Sequence, residues 1–206
     1  MKIAIISGSH RPTGNSGRIA RHIQKEAEAK GNSTYVLDLA QTELPFWDEG
    51  LWGAEGLSAK WEKVWNPVKA ELESADAVII VCPEYHGMVP SKLTNLFLLF
   101  GNGPTVAHKP ALAVTVSSSM GGAYPLEELR AVTTKNNRMV YLPEHLIVRN
   151  ADNMFIPNPP EEHVKSNAFL TERLDWTLDM LAAYGKALAT VRSSVQTTHP
   201  KFANGM

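Results

Sequence analysis

Short runs of apolar and β-branched residues alternate along the chain with longer stretches in which apolar residues recur every three or four positions. Each short run predicts a buried strand, because a strand of a parallel sheet that is covered on both faces is apolar at nearly every position. The predicted strands lie at 2–6, 34–39, 77–81, 111–116 and 145–148.

The longer stretches have the periodicity of amphipathic helices. In the first of them Ile19, Ile23 and Ala27 lie four positions apart, and Gly31 then ends the pattern. A short and very apolar stretch predicts the second helix, and the last stretch predicts the longest one. The predicted helices span 16–30, 91–101, 124–137 and about 161–190.

Strands and helices that alternate in this way predict an α/β protein with a doubly wound parallel sheet and helices on both faces. Five strands fit the order 2-1-3-4-5, in which the chain reverses its direction across the sheet between strands 1 and 3. In such sheets ligands bind beyond the carboxyl ends of the strands at that reversal. We expect one domain over 1–192, followed by a loosely held polar tail over 193–206.

Composition narrows the function classes. The chain has 206 residues, a net charge of −1 and no block of like charge, which argues against nucleic-acid and membrane partners, since both need clustered Lys and Arg. The lone cysteine, Cys82, excludes an intrachain disulfide and a cysteine-based metal site, and we expect a buried core thiol there. The apolar run at the N-terminus is too short for a signal peptide, so we expect a cytoplasmic protein.

A glycine-rich segment at 8–20, GSHRPTGNSGRIA, follows the first predicted strand and opens the first helix. A strand, a tight turn and a helix N-terminus in succession direct backbone N–H groups at an anion. The segment lacks the Lys-Ser/Thr pair of a P-loop and the G-x-G-x-x-G spacing of a dinucleotide site. Its polar side chains suit a terminal phosphate, and the candidates are Ser9, Arg11, Asn15 and Ser16. The alternative is an ordinary helix cap built by Asn15 or Ser16.

Two further segments follow the third and fourth strands and would meet the first at the same edge of the sheet. The segment at 82–90, CPEYHGMVP, contains Gly87, which permits a positive φ or the close approach of a flat ligand. Its Glu84 and His86 form no catalytic dyad by spacing, so a surface turn is the alternative. The segment at 117–125, SSSMGGAYP, offers hydroxyls and a Gly-Gly pair, and its alternative is a flexible linker.

The chain resembles the NADPH-dependent FMN reductase family in three motifs, GSHRPTGNS, PEYHG and SSSMGG, each directly after its strand. The likeness covers roughly residues 1–190 in order and spacing. It implies a flavodoxin-like fold, an FMN cofactor, and NADPH or NADH as the electron donor. It also implies that the four candidates of the first segment hold the FMN 5′-phosphate. The residues it places against the isoalloxazine are Pro83, Glu84, Tyr85, His86 and Gly87, with Ser117, Gly121 and Gly122 at the far edge of the ring.

One position departs from the family pattern, which usually has Asn where this chain has His86. An Asn there acts mainly through its backbone, so we expect FMN binding to survive the difference. We expect the surface over the flavin to change, and with it the preferred electron acceptor.

The resemblance also implies a reaction. Flavin chemistry needs little from side chains, so we assign no residue as a catalytic acid or base. Hydride would pass from NADPH or NADH to flavin N5, and then to a quinone, an azo compound, a metal oxyanion or free flavin, in a ping-pong sequence. Homodimers or homotetramers are implied as well. Hydrophobic surface in the Trp-rich connection at 40–57 and in the LTNLFLLF stretch at 93–100 suits such contacts.

Two other function classes stay open. A flavodoxin-type electron carrier would hold the same cofactor without its own turnover of NAD(P)H. Such carriers tend to be strongly acidic, whereas this chain is nearly neutral. A non-redox protein could use the phosphate segment for another nucleotide.

Overall fold

The computed structural model describes residues 1–52, 58–101, 103–197 and 199–204. Over these residues the chain forms a five-stranded sheet in the order β2-β1-β3-β4-β5, and every neighbouring pair is parallel. The strands are β1 (Lys2–Ser7), β2 (Ser33–Asp38), β3 (Ala77–Pro83), β4 (Pro110–Val116) and β5 (Val140–Val148). The order and direction of the strands confirm the prediction from the apolar runs.

Helices cover both faces of the sheet, as predicted. The helices are α1 (Asn15–Ala29), α2 (Ala59–Ser74), α3 (Ser91–Leu99), α4 (Ala123–Val132) and α5 (Val164–Ser194). On one face Leu72, Leu93 and Leu129 bring α2, α3 and α4 into one apolar core. On the other face Ile23 of α1 and Leu178 of α5 belong to a second core. No helix in the described part of the chain combines the length and the apolar character needed to cross a membrane.

The edge strand β5 is longer than its apolar run predicts. It begins at Val140, whereas the run indicates a strand only over 145–148. Because β5 lies at the edge of the sheet, most of its positions are partly exposed and its sequence is not continuously apolar. The preceding helix, α4, ends at Val132 and not at residue 137, and the connection between them turns at Arg138, which has a φ of 54°.

Helix α2 was not predicted from the sequence. Its buried residues Trp65, Val68 and Leu72 do recur at helical spacing. However, Pro67 interrupts the interior of the helix, and charged residues on either side of it weaken the pattern. Packing against the sheet therefore determines this helix more than its local sequence does.

A buried lysine from the start of β4 holds the C-terminal end of α2. The ammonium group of Lys109 donates to the carbonyl oxygens of Leu72 (2.7 Å), Glu73 (2.7 Å) and Thr105 (2.9 Å). Burial lowers the pKa of Lys109 to about 8. A cation among the last carbonyl groups of a helix satisfies acceptors that have no partner within the helix.

The polar tail is held more closely than its composition predicts. Arg138 donates from Nη2 to the carbonyl oxygens of Phe202 (2.9 Å) and Ala203 (2.6 Å). Helix α5 ends at Ser194, so it runs across the boundary predicted after residue 192. The division into a 1–192 domain and a tail stays a prediction.

The chain reverses its direction across the sheet at β1, which lies between β2 and β3. The carboxyl ends of β1, β3 and β4 therefore lie side by side, and the three glycine-rich segments begin there. The N–H group of Gly8 donates to the carbonyl oxygen of Val81 (2.8 Å), which continues the pairing of β1 with β3 to the edge of the sheet. This edge is the position at which such folds bind ligands.

Candidate functional site

Hydrogen bonds between side chains and backbone groups join the three predicted segments to one another. The hydroxyl groups of Ser9 and Tyr85 lie 2.8 Å apart, which connects the segment after β1 to the segment after β3. The carboxylate of Glu84 accepts a hydrogen bond from the N–H group of Gly122, which connects the segment after β3 to the segment after β4. The structure therefore brings the three segments together at one edge, as the topology predicts.

The segment after β1 folds as a tight turn around a buried hydroxyl. Ser9 Oγ accepts a hydrogen bond from the N–H group of Arg11 (3.0 Å), and the N–H group of Gly14 donates to the carbonyl oxygen of Arg11 (3.0 Å). A side chain at position 14 would not fit, because its Cβ would lie 2.7 Å from Ser9 Oγ. Gly14 is therefore required by the close approach of the chain to itself.

No side chain of the described residues accepts a hydrogen bond from the first N–H groups of α1. Its N-cap residue is Gly14, in an extended conformation. The alternative in which Asn15 or Ser16 builds an ordinary helix cap is therefore wrong. Backbone N–H groups at an uncapped helix N-terminus, with the positive end of the helix dipole, form a site for an anion. The guanidinium of Arg11 is exposed and forms no ion pair within the described chain, and the hydroxyl of Ser16 donates to no described residue.

The side chain of Asn15 is already engaged with the protein. Its Nδ2 donates to Asp152 Oδ1 (2.8 Å), and its Oδ1 accepts from Arg18 Nη2 (3.1 Å). Arg18 also donates to the carbonyl oxygen of Met154 (2.9 Å), so α1 is held to the segment after β5. Burial lowers the pKa of Arg18, and the charge of Asp152 opposes that effect. Asn15 can therefore contribute its backbone N–H group to an anion, while its side chain orients the helix.

The segment after β3 folds into a tight turn. Its two central residues are His86 and Gly87, and Tyr85 and Met88 flank them. Tyr85 and Met88 exchange backbone hydrogen bonds of 3.1 and 3.0 Å. The φ angles of His86 (53°) and Gly87 (79°) are both positive, which is the pattern of a type I′ turn. Asn-Gly is the dipeptide most favoured in such turns, so the turn gives a physical reason for Asn at position 86 in the family. The ring of His86 is exposed at the rim of the site.

The carboxylate of Glu84 has a positioning role. Besides its hydrogen bond to Gly122, it packs so closely on Gly121 that a Cβ at that position would lie 2.5 Å from Glu84 Oε1. Glu84 and His86 share no contact that would make them a dyad, which agrees with their spacing. Cys82 is fully buried and burial raises the pKa of its thiol, which confirms the core thiol expected at this strand end.

Residues after β5, which the motifs do not include, hold the segment after β4. Arg149 donates from Nε to the carbonyl oxygens of Met120 (2.7 Å) and Gly121 (3.2 Å), and the N–H group of Asn150 donates to the carbonyl oxygen of Ser119 (3.0 Å). The segment is therefore ordered by specific contacts, which excludes the flexible-linker alternative. Arg149 was not predicted because it belongs to none of the three motifs. Its position directly after the last strand is the feature of the sequence that indicates it.

The residues present fit FMN. The uncapped N-terminus of α1 suits a phosphate dianion, and the exposed Arg11 in the turn before it forms no ion pair with the described residues. Gly122, with a φ of 109°, and Gly121, which has no room for a side chain, present bare backbone at the opposite end of the edge. A planar ring system can approach such backbone closely.

Comparisons with known proteins agree with this reading. The family model described as NADPH-dependent FMN reductase matches residues 1–153. The chain is 29% identical to an NADPH azoreductase of Bacillus sp. (strain OY1-2) over 132 residues, which are 64% of this chain and 67% of the azoreductase. It is 29% identical to a quinone reductase of Escherichia coli (strain K12) over 143 residues, which are 68% of this chain and 73% of the reductase.

Solved structures show that the fold is flavodoxin-like. FerB, a flavoenzyme NAD(P)H:(acceptor) oxidoreductase from Paracoccus denitrificans, matches with a TM-score of 0.69 at 21% identity, over 90% of this chain and 97% of FerB. An NADH:FMN oxidoreductase in its apo form matches with a TM-score of 0.65 at 14% identity, over 98% of this chain and 94% of that one. With the fold, the joined segments and the family model all in agreement, the chain belongs to the NADPH-dependent FMN reductase family, whose members are oxidoreductases that use FMN with NADPH or NADH as electron donor.

Proposed function

We propose that this protein transfers electrons from NADPH or NADH to a quinone or an azo compound, in two half-reactions at one FMN site in the cytoplasm. Metal oxyanions and free flavin are further acceptors of the same kind. The observation that carries the proposal is the uncapped N-terminus of α1 at the edge where the three segments are joined, preceded by the exposed Arg11, which forms no ion pair with the described residues. When bound, FMN accepts a hydride from the nucleotide and passes its electrons to the acceptor.

The charges around α1 favour a dianion at its N-terminus. Arg11 and Arg18 contribute two positive charges, and the helix dipole adds to them. Two carboxylates lie nearby: Asp152 accepts a hydrogen bond from Asn15 (2.8 Å), and Asp38 is paired with Arg21 (3.5 Å), which cancels its charge. We therefore assign the phosphate to Arg11, to the hydroxyl of Ser16 and to the first N–H groups of α1.

The backbone of the segment after β4 divides into two sets of N–H groups. One set is used by the protein itself and consists of Ser117, Ser119 and Gly122. The other set donates to no described residue and consists of Ser118, Met120 and Gly121. In the proposed site the second set stabilises negative charge that develops at the pyrimidine edge of the flavin, because preorganised donors favour developing charge.

Anaerobic mixing tests the two half-reactions and distinguishes the enzyme from an electron carrier. The FMN-loaded protein, mixed with NADPH, is expected to lose the visible absorbance of its oxidised flavin, because the cofactor accepts the hydride. A neutral quinone, added after removal of the nucleotide, is expected to restore the absorbance. Absorbance that persists with both nucleotides would favour the flavodoxin-type carrier. Intersecting lines in initial-rate plots would contradict the ping-pong sequence.

Arg11→Ala is expected to weaken FMN binding by about 1.5–3 kcal/mol, because a guanidinium that meets a phosphate makes a charge-assisted hydrogen bond. Riboflavin, which lacks the phosphate, should bind far more weakly than FMN and should not respond to the substitution. Fluorescence titration of the apoprotein measures both affinities. Lys25→Ala, at an exposed position on α1, is the control and should bind FMN like the parent. Equal FMN affinities of the Arg11→Ala and parent proteins would remove Arg11 from the site.

His86→Asn is expected to keep the fold and FMN affinity, because Asn adopts a positive φ readily. His86→Val should lower the free energy of unfolding by about 1–3 kcal/mol, because a β-branched residue at a positive φ is strained. Chemical denaturation measures the free energy of unfolding of both variants, and Met88→Val at the nearby exposed position is the control.

The rate of reaction with the electron acceptor should change in His86→Asn, while the rate of flavin reduction by NADPH stays the same. Unchanged acceptor kinetics would make the imidazole irrelevant to the reaction.

The surface formed by Trp47, Leu98 and Val132 supports self-association. Their side chains are 40%, 48% and 61% exposed, and they line one groove of about 530 Å³ between α3 and α4. Part of the predicted 40–57 surface, residues 53–57, lies outside the described residues.

Light scattering at micromolar concentration should give the mass of a dimer or tetramer, and Leu98→Asp should reduce that mass. Val191→Asp, at an exposed apolar position on α5, should not. A parent protein of monomeric mass would overturn this proposal.

A further inference from the structure

Three large apolar side chains are exposed on the two segments to which we assign the FMN ring. Met88, which follows the His86–Gly87 turn, is 58% exposed. Met120 and Tyr124, which precede and follow the Gly121–Gly122 pair, are 67% and 73% exposed. Single exposed apolar residues are common on protein surfaces, but several of them around one ligand-binding edge indicate a contact surface for a ligand.

Tyr124 reaches from the segment after β4 to the turn after β3. A Cβ at Gly87 would lie 3.8 Å from Tyr124 Cδ2, which is an ordinary van der Waals distance, so the ring lies against the bare backbone of the turn. Tyr124 also belongs to the first turn of α4, two residues after Gly122. Its exposed ring therefore lies beside both stretches of backbone that we assign to the FMN ring.

The backbone of Tyr124 is held in place, while its side chain is open to a ligand. Pro125 and Leu126, which follow it, are buried and anchor the first turn of α4 in the core. The hydroxyl group of Tyr124 forms no hydrogen bond with the described residues. A tyrosine ring has only two side-chain torsions, so it loses little conformational entropy when a ligand packs on it.

The carboxylates on this side of the site bind the protein's own backbone. Glu84 accepts a hydrogen bond from the N–H group of Gly122, and Glu128 of α4 accepts one from the N–H group of Val89 (2.8 Å). Neither carboxylate is therefore presented to a ligand. The contact that Tyr124 offers is the face of an aromatic ring, which suits a second planar ring in a stacked or edge-to-face arrangement.

We propose that Tyr124 is a specificity-determining residue, whose ring stacks on the electron acceptor and favours planar aromatic acceptors, such as quinones and azo dyes, over compact metal oxyanions. The proposal rests on the proposed function and names the class of acceptor that the site selects. A quinone binds mainly through its ring, so a stacking partner changes its affinity directly. A metal oxyanion has no face to stack. NADPH has a large polar remainder by which to bind, so its reaction should depend much less on Tyr124.

Rapid mixing of the FMN-loaded protein, reduced photochemically, with an acceptor tests the proposal without NADPH. The second-order rate constant for 1,4-naphthoquinone should fall about three- to tenfold in Tyr124→Ala, because an aromatic pair is lost. The rate constant for chromate should stay the same. Tyr124→Phe keeps the ring and should restore the rate with naphthoquinone. Phe202→Ala, which removes an exposed ring near the start of β5 at the opposite edge of the sheet, is the control and should react like the parent.

Three further measurements separate a contact with the acceptor from a structural role. Calorimetric titration of the oxidised, FMN-loaded protein with 2-naphthol, an aromatic ring that the flavin does not reduce, should show a matching loss of affinity in Tyr124→Ala. Fluorescence titration should give the FMN affinity of the parent. Light scattering should give the mass of the parent.

Equal losses with naphthoquinone and chromate, or an equal loss in flavin reduction by NADPH, would overturn the proposal, because the ring would then act on the flavin and not on the acceptor. An FMN affinity that falls as far as the naphthol affinity, or a lower mass, would overturn it as well. If neither NADPH nor NADH reduces the parent, the proposed function fails, while a selective loss with naphthoquinone still supports the role of Tyr124. If NADPH reduces the parent and the selective loss is absent, this proposal alone fails.

Discussion

The site depends on the way in which three irregular segments are tied to one another where the strand order reverses. The hydroxyl–hydroxyl contact of Ser9 with Tyr85 and the hydrogen bond from Gly122 to Glu84 span the ends of β1, β3 and β4. Each segment also has contacts of its own, such as those of Arg149 with the segment after β4, but without these two bonds the segments would be less restricted relative to one another. With them, the segments to which we assign the phosphate and the ring of FMN are fixed relative to each other before a cofactor arrives. Such preorganisation reduces the entropy lost on binding.

The second property of the site is local positive potential in a chain that is nearly neutral overall. Net charge gives no indication of it, because 20 basic and 21 acidic residues almost cancel. The potential comes from placement, because Arg11 lies in the turn that leads into the N-terminus of α1. The helix adds the positive end of its dipole to the charge of that side chain. The proposed phosphate site therefore needs no excess of basic residues in the chain as a whole.

The order of the strands and the place of the site follow from the sequence, because apolar runs mark buried strands and glycine-rich segments after them mark a ligand-binding edge. Contacts between residues that are far apart in the sequence cannot be predicted from it. Asn15 was a candidate phosphate ligand, but its side chain bonds Asp152, 137 positions away, and no local pattern records that partner. Helix α2 and the first half of β5 were missed for a related reason: their residues are determined by packing or by an edge position, and not by a continuous apolar run. The sequence left open whether the start of α1 is a simple helix cap or an anion site, and only the geometry, with Gly14 as the N-cap, distinguishes the two.

An experimental structure of the protein with FMN bound decides whether the cofactor lies at the joined segments. We expect the FMN phosphate within hydrogen-bond distance of the first N–H groups of α1 and of the Arg11 guanidinium, with the ring system lying between the His86–Gly87 turn and the Gly121–Gly122 backbone. A phosphate bound elsewhere, for example in the groove between α3 and α4, or a ring system that does not contact the segment after β4, would show that the site has been assigned wrongly.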